Sequence, residues 1–183
     1  MKIGASAVAA ALLVACGQQA LAGTRVLEGK ITRVSDGDTV WLQPDNRARA
    51  PVKLRLQGID APERCQAWGE QSRDALAARV LQRRVAVSTR TSDDYGRALG
   101  ILALDGEDIN AWMVAQGHAW SARWHRSAGN YGTQEQSARA SRKGLFTQPD
   151  AIEPRHFRKL HGPCQRPDSH RTPTSKHARF QAT

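Results

Sequence analysis

Three short segments of this 183-residue chain carry residue types that could do hydrolytic chemistry. They read Asp-Gly-Asp-Thr at 36–39, RLQGIDAPE at 55–63 and Asp-Tyr-Gly-Arg at 94–97. Alone, the first segment is weak evidence, because Asp-Gly is a frequent hairpin turn. The second is more informative, since it places an arginine on a strand and two carboxylates in a stiff loop just after that strand, where side chains are exposed yet held.

Together these segments supply the groups that hydrolysis of a phosphodiester requires. Carboxylates from the first two segments can converge on a hard cation, and calcium accepts carboxylate and carbonyl oxygens in flexible geometry. The chain has no Cys/His cluster that would suit zinc. Two arginines match the extra negative charge of a pentacovalent phosphate, and a further carboxylate activates or orients water.

The elements that must position these groups follow an α+β pattern. Strand-like runs lie at 26–34, 39–42, 52–56, 84–89 and 98–104. Helical patterns lie at 68–83, from an N-cap at Asp108 onward, and at 133–142 with Gly144 as the stop. We therefore expect one α+β domain over residues 23–150, in which five strands form a small closed barrel that carries three helices.

In this order and at this spacing, the three motifs resemble the staphylococcal nuclease (thermonuclease) family. The resemblance covers about residues 25–148 and extends to Gly-His-Ala-Trp at 117–120 and Gly-Leu-Phe at 144–146. It implies an OB-fold barrel with helices. It also implies a calcium-dependent endonuclease that hydrolyses DNA and RNA and leaves 3′-phosphate ends.

The same resemblance implies a role for each motif position. The ligands of one calcium ion would be Asp38, Asp60 and the backbone carbonyl of Ala61. The catalytic residues would be Glu63 as general base, or as the group that orders water, and the phosphate-binding Arg55 and Arg97. Three further residues would support the metal or the substrate without being calcium ligands or catalytic residues: Asp36, Thr39 and Tyr95.

The segment at 121–131 departs from the family pattern. Residues 121–125 lack the tyrosines that some members use to stack on or hydrogen-bond the nucleotide. Because base stacking tolerates different aromatic partners, Trp124, His125 or Tyr131 are candidates to replace them. We expect Trp41 and Trp112 to belong to the core.

Charge and the C-terminal composition favour polyanionic partners. Lys and Arg outnumber Asp and Glu by 27 to 17, a net charge of +10. Residues 151–183 are rich in Pro, His, Arg and Ser, and we expect them to form a basic, disordered extension, a common arrangement for a nucleic-acid-binding arm. The expected partners are DNA and RNA substrates, with no protein partner indicated, and we expect a monomer.

The first 22 residues are typical of a secretory signal peptide. A basic start is followed by a short apolar run and a small-x-small end at Ala20-Leu21-Ala22, which predicts export to the periplasm or medium. Leu13 to Cys16 also resembles a lipoprotein box, so a lipid anchor on Cys16 is the alternative. Cys65 and Cys164 are then either a disulfide or two free thiols.

One rival function belongs to a different class of protein. A non-catalytic OB-fold module binds single strands through a basic groove and aromatic side chains. Such a module needs neither the carboxylates nor the paired arginines. The presence of Asp38, Glu63 and Arg97 in the three motifs therefore favours an enzyme.

Overall fold

The structure is a computed structural model, and it describes residues 24–123 and 127–164. The strands are β1 (Arg25–Asp36), β2 (Thr39–Pro44), β3 (Val52–Leu56), β4 (Ile59–Asp60), β5 (Arg84–Ser92), β6 (Ala98–Leu104), β7 (Glu107–Asp108) and β8 (Trp120–Ser121). The helices are α1 (Gly69–Val80), α2 (Ile109–Ala115), α3 (Gly132–Ala140) and α4 (Pro154–His161), with a 3-10 turn at Gly144–Thr147.

Five of these strands close into a barrel in the order β3-β2-β1-β5-β6. The neighbours pair antiparallel, and a parallel pairing of β3 with β6 closes the ring. The predicted α+β class and OB-type barrel are thus confirmed. The expected count of three helices is wrong, because the described residues form four α-helices.

The barrel interior is filled by the apolar residues that alternate along its strands. Fully buried members are Ile31, Val40, Leu42, Leu54, Val87 and Leu102. Each such side chain contributes about 1.5–3 kcal/mol by leaving water. Helix α1 closes one side of the barrel, with Leu76 and Val80 buried against it. Trp112 and Trp41, expected in the core, are only half-buried, although Trp112 packs against the core cluster.

Helix α2 begins as expected and also locks the barrel rim. The Asp108 side chain caps it by accepting from the Ala111 backbone N–H at 3.0 Å. In the first turn of the helix, the fully buried Asn110 donates to the carbonyls of Gln57 at 2.9 Å and Gly100 at 3.1 Å. This amide therefore ties the turn after β3 to strand β6, and that turn leads directly into the 59–63 loop.

The start of the C-terminal segment corrects an expectation. Residues Pro154–His161 form α4, with Pro154 in its first turn, so the prediction of disorder is wrong for this stretch. A disulfide joins Cys65 to Cys164, with 5.7 Å between the Cα atoms. The predicted signal peptide, Cys16 and the tail beyond residue 164 lie outside the described residues. Within the described part of the chain, no helix has the length and apolar character needed to span a membrane.

Candidate active site

The turn between β1 and β2 builds the first half of the site. Asp36 Oδ1 accepts from the backbone N–H of Asp38 at 3.2 Å, which folds the turn back on itself. Gly37 is required there, because a Cβ atom would lie 1.9 Å from Ser72 Oγ on α1. The turn thereby directs Asp38 inward, where it is only 3% exposed and its Oδ1 accepts from the Thr39 hydroxyl at 3.0 Å.

Strand β3 brings the second half of the site to the same point. Thr39 and Arg55 are direct neighbours in the β2–β3 ladder, so the guanidinium of Arg55 lies beside the turn. It pairs with Asp38 Oδ1 at 2.5 Å and with Asp60 Oδ1 at 2.9 Å. The backbone N–H of Ala61 donates to Asp38 Oδ2 at 3.1 Å. The first two motifs are therefore joined through one arginine and one carboxylate.

The electrostatics of this cluster are dominated by crowded carboxylates. Burial, followed by the charge of Asp38, raises the pKa of Asp36 to about 7. The same two causes raise the pKa of Asp60. Burial alone would lower the pKa of Arg55, but Asp38 and Asp60 hold it above its ordinary value. The negative charge of the cluster thus exceeds what Arg55 neutralises, which favours binding of a further cation.

The donor set fits a hard cation in its chemistry. Asp36, Asp38 and Asp60 offer carboxylate oxygens, and Ala61 offers a carbonyl, which are the ligand types that calcium prefers. Among residues 24–123 and 127–164, however, no three acidic, histidine or cysteine side chains form a ready-made metal site. Asp38 and Asp60 instead converge on the Arg55 guanidinium. The ligand assignment therefore stays a prediction.

Glu63 lies at the edge of this cluster, in a loop that hydrogen bonds with Gln66 stabilise. Gln66 accepts from the Glu63 N–H through its side chain at 3.1 Å and donates its own N–H to the Glu63 carbonyl at 2.8 Å. The Glu63 carboxylate is partly exposed and pairs with Arg158 of α4 at 2.6 Å. Glu63 is therefore placed beside Asp60 but is held by a residue outside the three motifs.

The third motif forms a self-contained turn between β5 and β6. Arg97 pairs with Asp93 at 2.6 Å, and Asp93 Oδ1 also accepts from the backbone N–H groups of Tyr95 and Arg97. Burial would raise the pKa of Asp93, but the hydrogen bonds from Arg97 hold this pKa below its ordinary value. Tyr95 is 85% exposed, with the Arg97 guanidinium 5.4 Å from its ring centre.

Barrel closure nevertheless brings this turn to the strand that carries Arg55. Ala98 pairs with Leu54 in the parallel β3–β6 ladder, which places Arg97 one residue before the start of that pairing. The contacts of Arg97 in the described part of the chain stay within its own turn and do not reach the carboxylate cluster. The structure thus brings together the first two motifs fully and the third only as a neighbour.

Tyr131 does not serve the role suggested for it at the nucleotide surface. It is 6% exposed, packs in the main core cluster and donates its hydroxyl to Asp108 at 3.1 Å. A buried ring with a satisfied hydroxyl cannot stack on a base. The other two candidates, Trp124 and His125, lie outside the described residues.

Arg158 is the site residue that the sequence analysis missed. It contacts Glu63 and lies 3.6 Å from Asp60 Oδ2, yet it belongs to the segment expected to be disordered. The available signal was local: Glu153-Pro154 is a typical helix start, and Phe157 and Leu160 follow at helical spacing. A pairing of Cys164 with Cys65 would also have brought this segment to the loop.

A closed OB-type barrel with carboxylates and arginines gathered on its rim is the arrangement of a hydrolase for phosphate esters. Residues 53–148 match the family described as staphylococcal nuclease homologue, and the chain belongs to this family. Protein ParB of Escherichia coli is 41% identical over 144 residues, which cover 73% of this chain and 80% of that protein.

Two further relatives carry nuclease names. A Shigella flexneri protein named micrococcal nuclease is 35% identical over 165 residues, covering 84% of this chain and 91% of that protein. A Haemophilus influenzae protein named uncharacterized endonuclease is 34% identical over 131 residues, covering 71% and 72%. The present protein is therefore a nuclease, a hydrolase whose substrates are nucleic acids.

Proposed function

We propose that this nuclease is a calcium-dependent endonuclease that cleaves both DNA and RNA and leaves 3′-phosphate ends. The observation that carries the proposal is the convergence of Asp38 and Asp60 on Arg55, with Glu63 on the same loop. Carboxylate oxygens and the Arg55 guanidinium are thereby concentrated at one point of the barrel rim. A phosphodiester bound there meets the groups that its hydrolysis requires.

Each residue has a defined task in this scheme. Asp38, Asp60 and the Ala61 carbonyl would hold the calcium ion, which when bound supplies a Lewis acid for a phosphate oxygen. Arg55 and Arg97 bind the non-bridging oxygens of the phosphate. Glu63 accepts a proton from water or orders it for attack, and cleavage on the 5′ side of the phosphorus leaves the phosphate on the 3′ end.

We also propose that the protein acts outside the cytoplasm as a monomer. The composition of residues 1–22 and the Cys65–Cys164 disulfide both support an oxidising compartment. A mass measurement on the exported protein distinguishes cleavage after Ala22 from acylation at Cys16. The expected product is the unacylated form that begins at Gly23.

The test of the activity is a cleavage assay on single-stranded DNA and RNA with calcium, with a chelator, and with magnesium or zinc instead. We expect cleavage of both substrates with calcium and none with the chelator. Glu63→Gln should lower kcat by roughly 10²–10⁴-fold, the range for loss of a general base. Glu107→Gln is the matched control, because Glu107 pairs with Arg79 on an exposed surface.

The product ends test the direction of cleavage. DNA products should become primers for a polymerase only after a 3′-phosphatase has acted on them, and their 5′ ends should accept phosphate from a kinase at once. Products with 5′-phosphate ends contradict the proposed bond. Tight binding without cleavage in calcium would instead support the non-catalytic binding module.

A further inference from the structure

Helix α4 lies outside the segment that matches the family, yet it is fastened to the site at both ends. Ahead of it, Glu153 pairs with Arg123 at 2.6 Å, and the Ile152 carbonyl accepts from the Gln66 side chain at 2.7 Å. Beyond it, the disulfide at Cys164 returns the chain to Cys65, two residues after Glu63. The position of α4 beside the loop that carries Glu63 is therefore fixed by covalent and polar contacts together.

This anchoring delivers one guanidinium to the reacting groups. Arg158 pairs with Glu63 Oε1 at 2.6 Å, and its other terminal nitrogen lies 3.6 Å from Asp60 Oδ2. Arg55 pairs with the opposite oxygen of the same Asp60 carboxylate at 2.9 Å. Two arginines, one from the barrel wall and one from α4, thus flank a single carboxylate at the site.

Both arginines line one cavity of about 340 Å³, bounded by the β8 region and by α4. Arg123, on its wall, is neutralised by Glu135 and Glu153. Arg158 differs from Arg123, because its partners are Glu63, which is assigned to activate water, and Asp60, which is assigned to bind the cation. Its side chain is 42% exposed, so its guanidinium is accessible from solvent.

A purely structural role explains little of this arrangement. An ion pair as exposed as that of Arg158 contributes little to stability. The planar fork of an arginine instead matches two oxygens of a phosphate, and Arg155 of the same helix also lines the cavity. The charge on this side of the cavity complements a nucleic-acid strand.

We propose that Arg158 binds a phosphate of the substrate strand adjacent to the phosphate that is cleaved. The C-terminal helix thus supplies a third phosphate-binding arginine, and the Cys65–Cys164 disulfide positions it. This inference rests on the proposed function of the site. The occupant of the cavity is the sugar–phosphate backbone of single-stranded nucleic acid.

The first test measures binding without cleavage. Fluorescence anisotropy with a short single-stranded DNA oligonucleotide, in the presence of a chelator, is repeated from about 50 to about 200 mM salt. Arg158→Gln should weaken binding about tenfold, as expected for loss of a charged hydrogen bond. It should also reduce the slope of log K against log salt by about 0.7, the value for one single-strand phosphate contact.

Arg84→Gln is the matched control. Arg84 also bridges two carboxylates, Glu28 and Asp45, and loses the same charge when substituted. It pairs with Lys30 in the β1–β5 ladder, six residues from Asp36 and so roughly 20 Å along the strand from the site. This variant should keep the salt slope and affinity close to wild type. Arg158→Lys should recover the slope but not the full affinity, because it keeps the charge without the fork.

The second test follows steady-state cleavage with calcium. Arg158→Gln should raise KM about tenfold while kcat stays within about threefold, the pattern for lost substrate binding. The double variant Cys65→Ser/Cys164→Ser should show the same rise in KM. Thermal unfolding of each variant confirms that the barrel is intact.

Several results would overturn the inference. An unchanged salt slope in Arg158→Gln excludes a phosphate contact, even if the melting temperature falls. A lower KM or a faster kcat means that Arg158 obstructs the site. If the double cysteine variant keeps the wild-type KM, the disulfide does not position Arg158. A wild-type protein that never cleaves refutes the proposed function alone, because the chelated binding assay still tests Arg158.

Discussion

The two arginines supplied by the sequence motifs are held in opposite ways. Arg55 lies in the barrel wall, where it neutralises the buried Asp38 and also contacts Asp60. Arg97 lies in a turn that Asp93 completes locally, beside the exposed Tyr95. The two arginine side chains are about equally exposed, at 23% and 22%, so the difference lies in their partners: the Asp38 side chain is only 5% exposed, whereas that of Asp93 is 16% exposed and also hydrogen-bonded by its own turn. Substitution should therefore lower activity at both positions, and lower stability more at the first position than at the second.

The largest effect is expected for Arg55→Ala. Activity should fall by roughly 10²–10³-fold, the usual cost of removing one preorganised donor to a developing charge. Without a cation bound, the variant also leaves Asp38 buried and unpaired, which costs about 3 kcal/mol or more. Activity assays and urea unfolding in a chelator measure the two effects.

Arg84→Ala provides the control for the stability measurement, because its ion pairs are exposed. Its urea midpoint should stay close to that of wild type. If Arg55→Ala unfolds at the same urea concentration as wild type, Arg55 does not stabilise the barrel. The contrast between the two arginines then disappears.

Arg97→Ala should lower activity by a similar factor, roughly 10²–10³-fold, because it also removes a donor to the phosphate. The urea midpoint should fall less than in Arg55→Ala, because Asp93 is less buried than Asp38 and keeps its hydrogen bond from the backbone N–H group of Tyr95. Asp93→Asn is a useful companion variant, because it keeps Arg97 but weakens the turn that orients it. An Arg97→Ala enzyme with full activity would show that Arg97 does not act in the reaction.

The smallest expected effect is on stability at acid pH. It concerns His118, which supports the Asp36–Thr39 turn through Ser72. His118 accepts from Trp68 Nε1 through Nδ1 at 3.3 Å, and its carbonyl accepts from Ser72 at 2.7 Å. Burial lowers the pKa of His118, so the folded state favours the neutral ring. The unfolded chain takes up a proton near pH 6.5, so this stabilisation is complete above that pH and is lost as pH falls below it.

His118→Gln should therefore show a smaller fall in urea midpoint than wild type between about pH 7.5 and pH 5. Comparing the two proteins isolates His118 from the carboxylates, whose raised pKa values act in the opposite direction. Equal pH dependence in both proteins would show that His118 is not protonated on unfolding in this range. The Arg97 turn should not contribute here, because the pKa of Asp93 is held below its ordinary value.

The fold was predictable wherever local pattern and tertiary packing agree. Alternating apolar residues placed all five barrel strands, and Asp108 marked the start of α2 correctly. Segments with a weak local pattern were missed. Helix α4 is rich in Arg, His and Lys, and its order depends on contacts made by Glu153, Ile152 and Cys164 with distant parts of the chain.

The candidate site divides in the same way. The motifs identified Asp38, Arg55 and Asp60 as one group, and the structure joins them through direct ion pairs. Tyr131 could not be judged from its type alone. An aromatic residue suits either a base-stacking surface or a core, and the packing around it together with the bond to Asp108 selects the core.

The sequence by itself determined the chemical groups, their order and the barrel that carries them, because motif identity and strand periodicity are local properties. Only the tertiary structure decided which groups meet. The β2–β3 ladder sets Arg55 beside Asp38, and the β3–β6 closure brings the Arg97 turn to the same rim. The Cys65–Cys164 link places Arg158 on Glu63 across 95 residues of chain. Contacts over such separations depend on how the whole chain closes, which no single segment encodes.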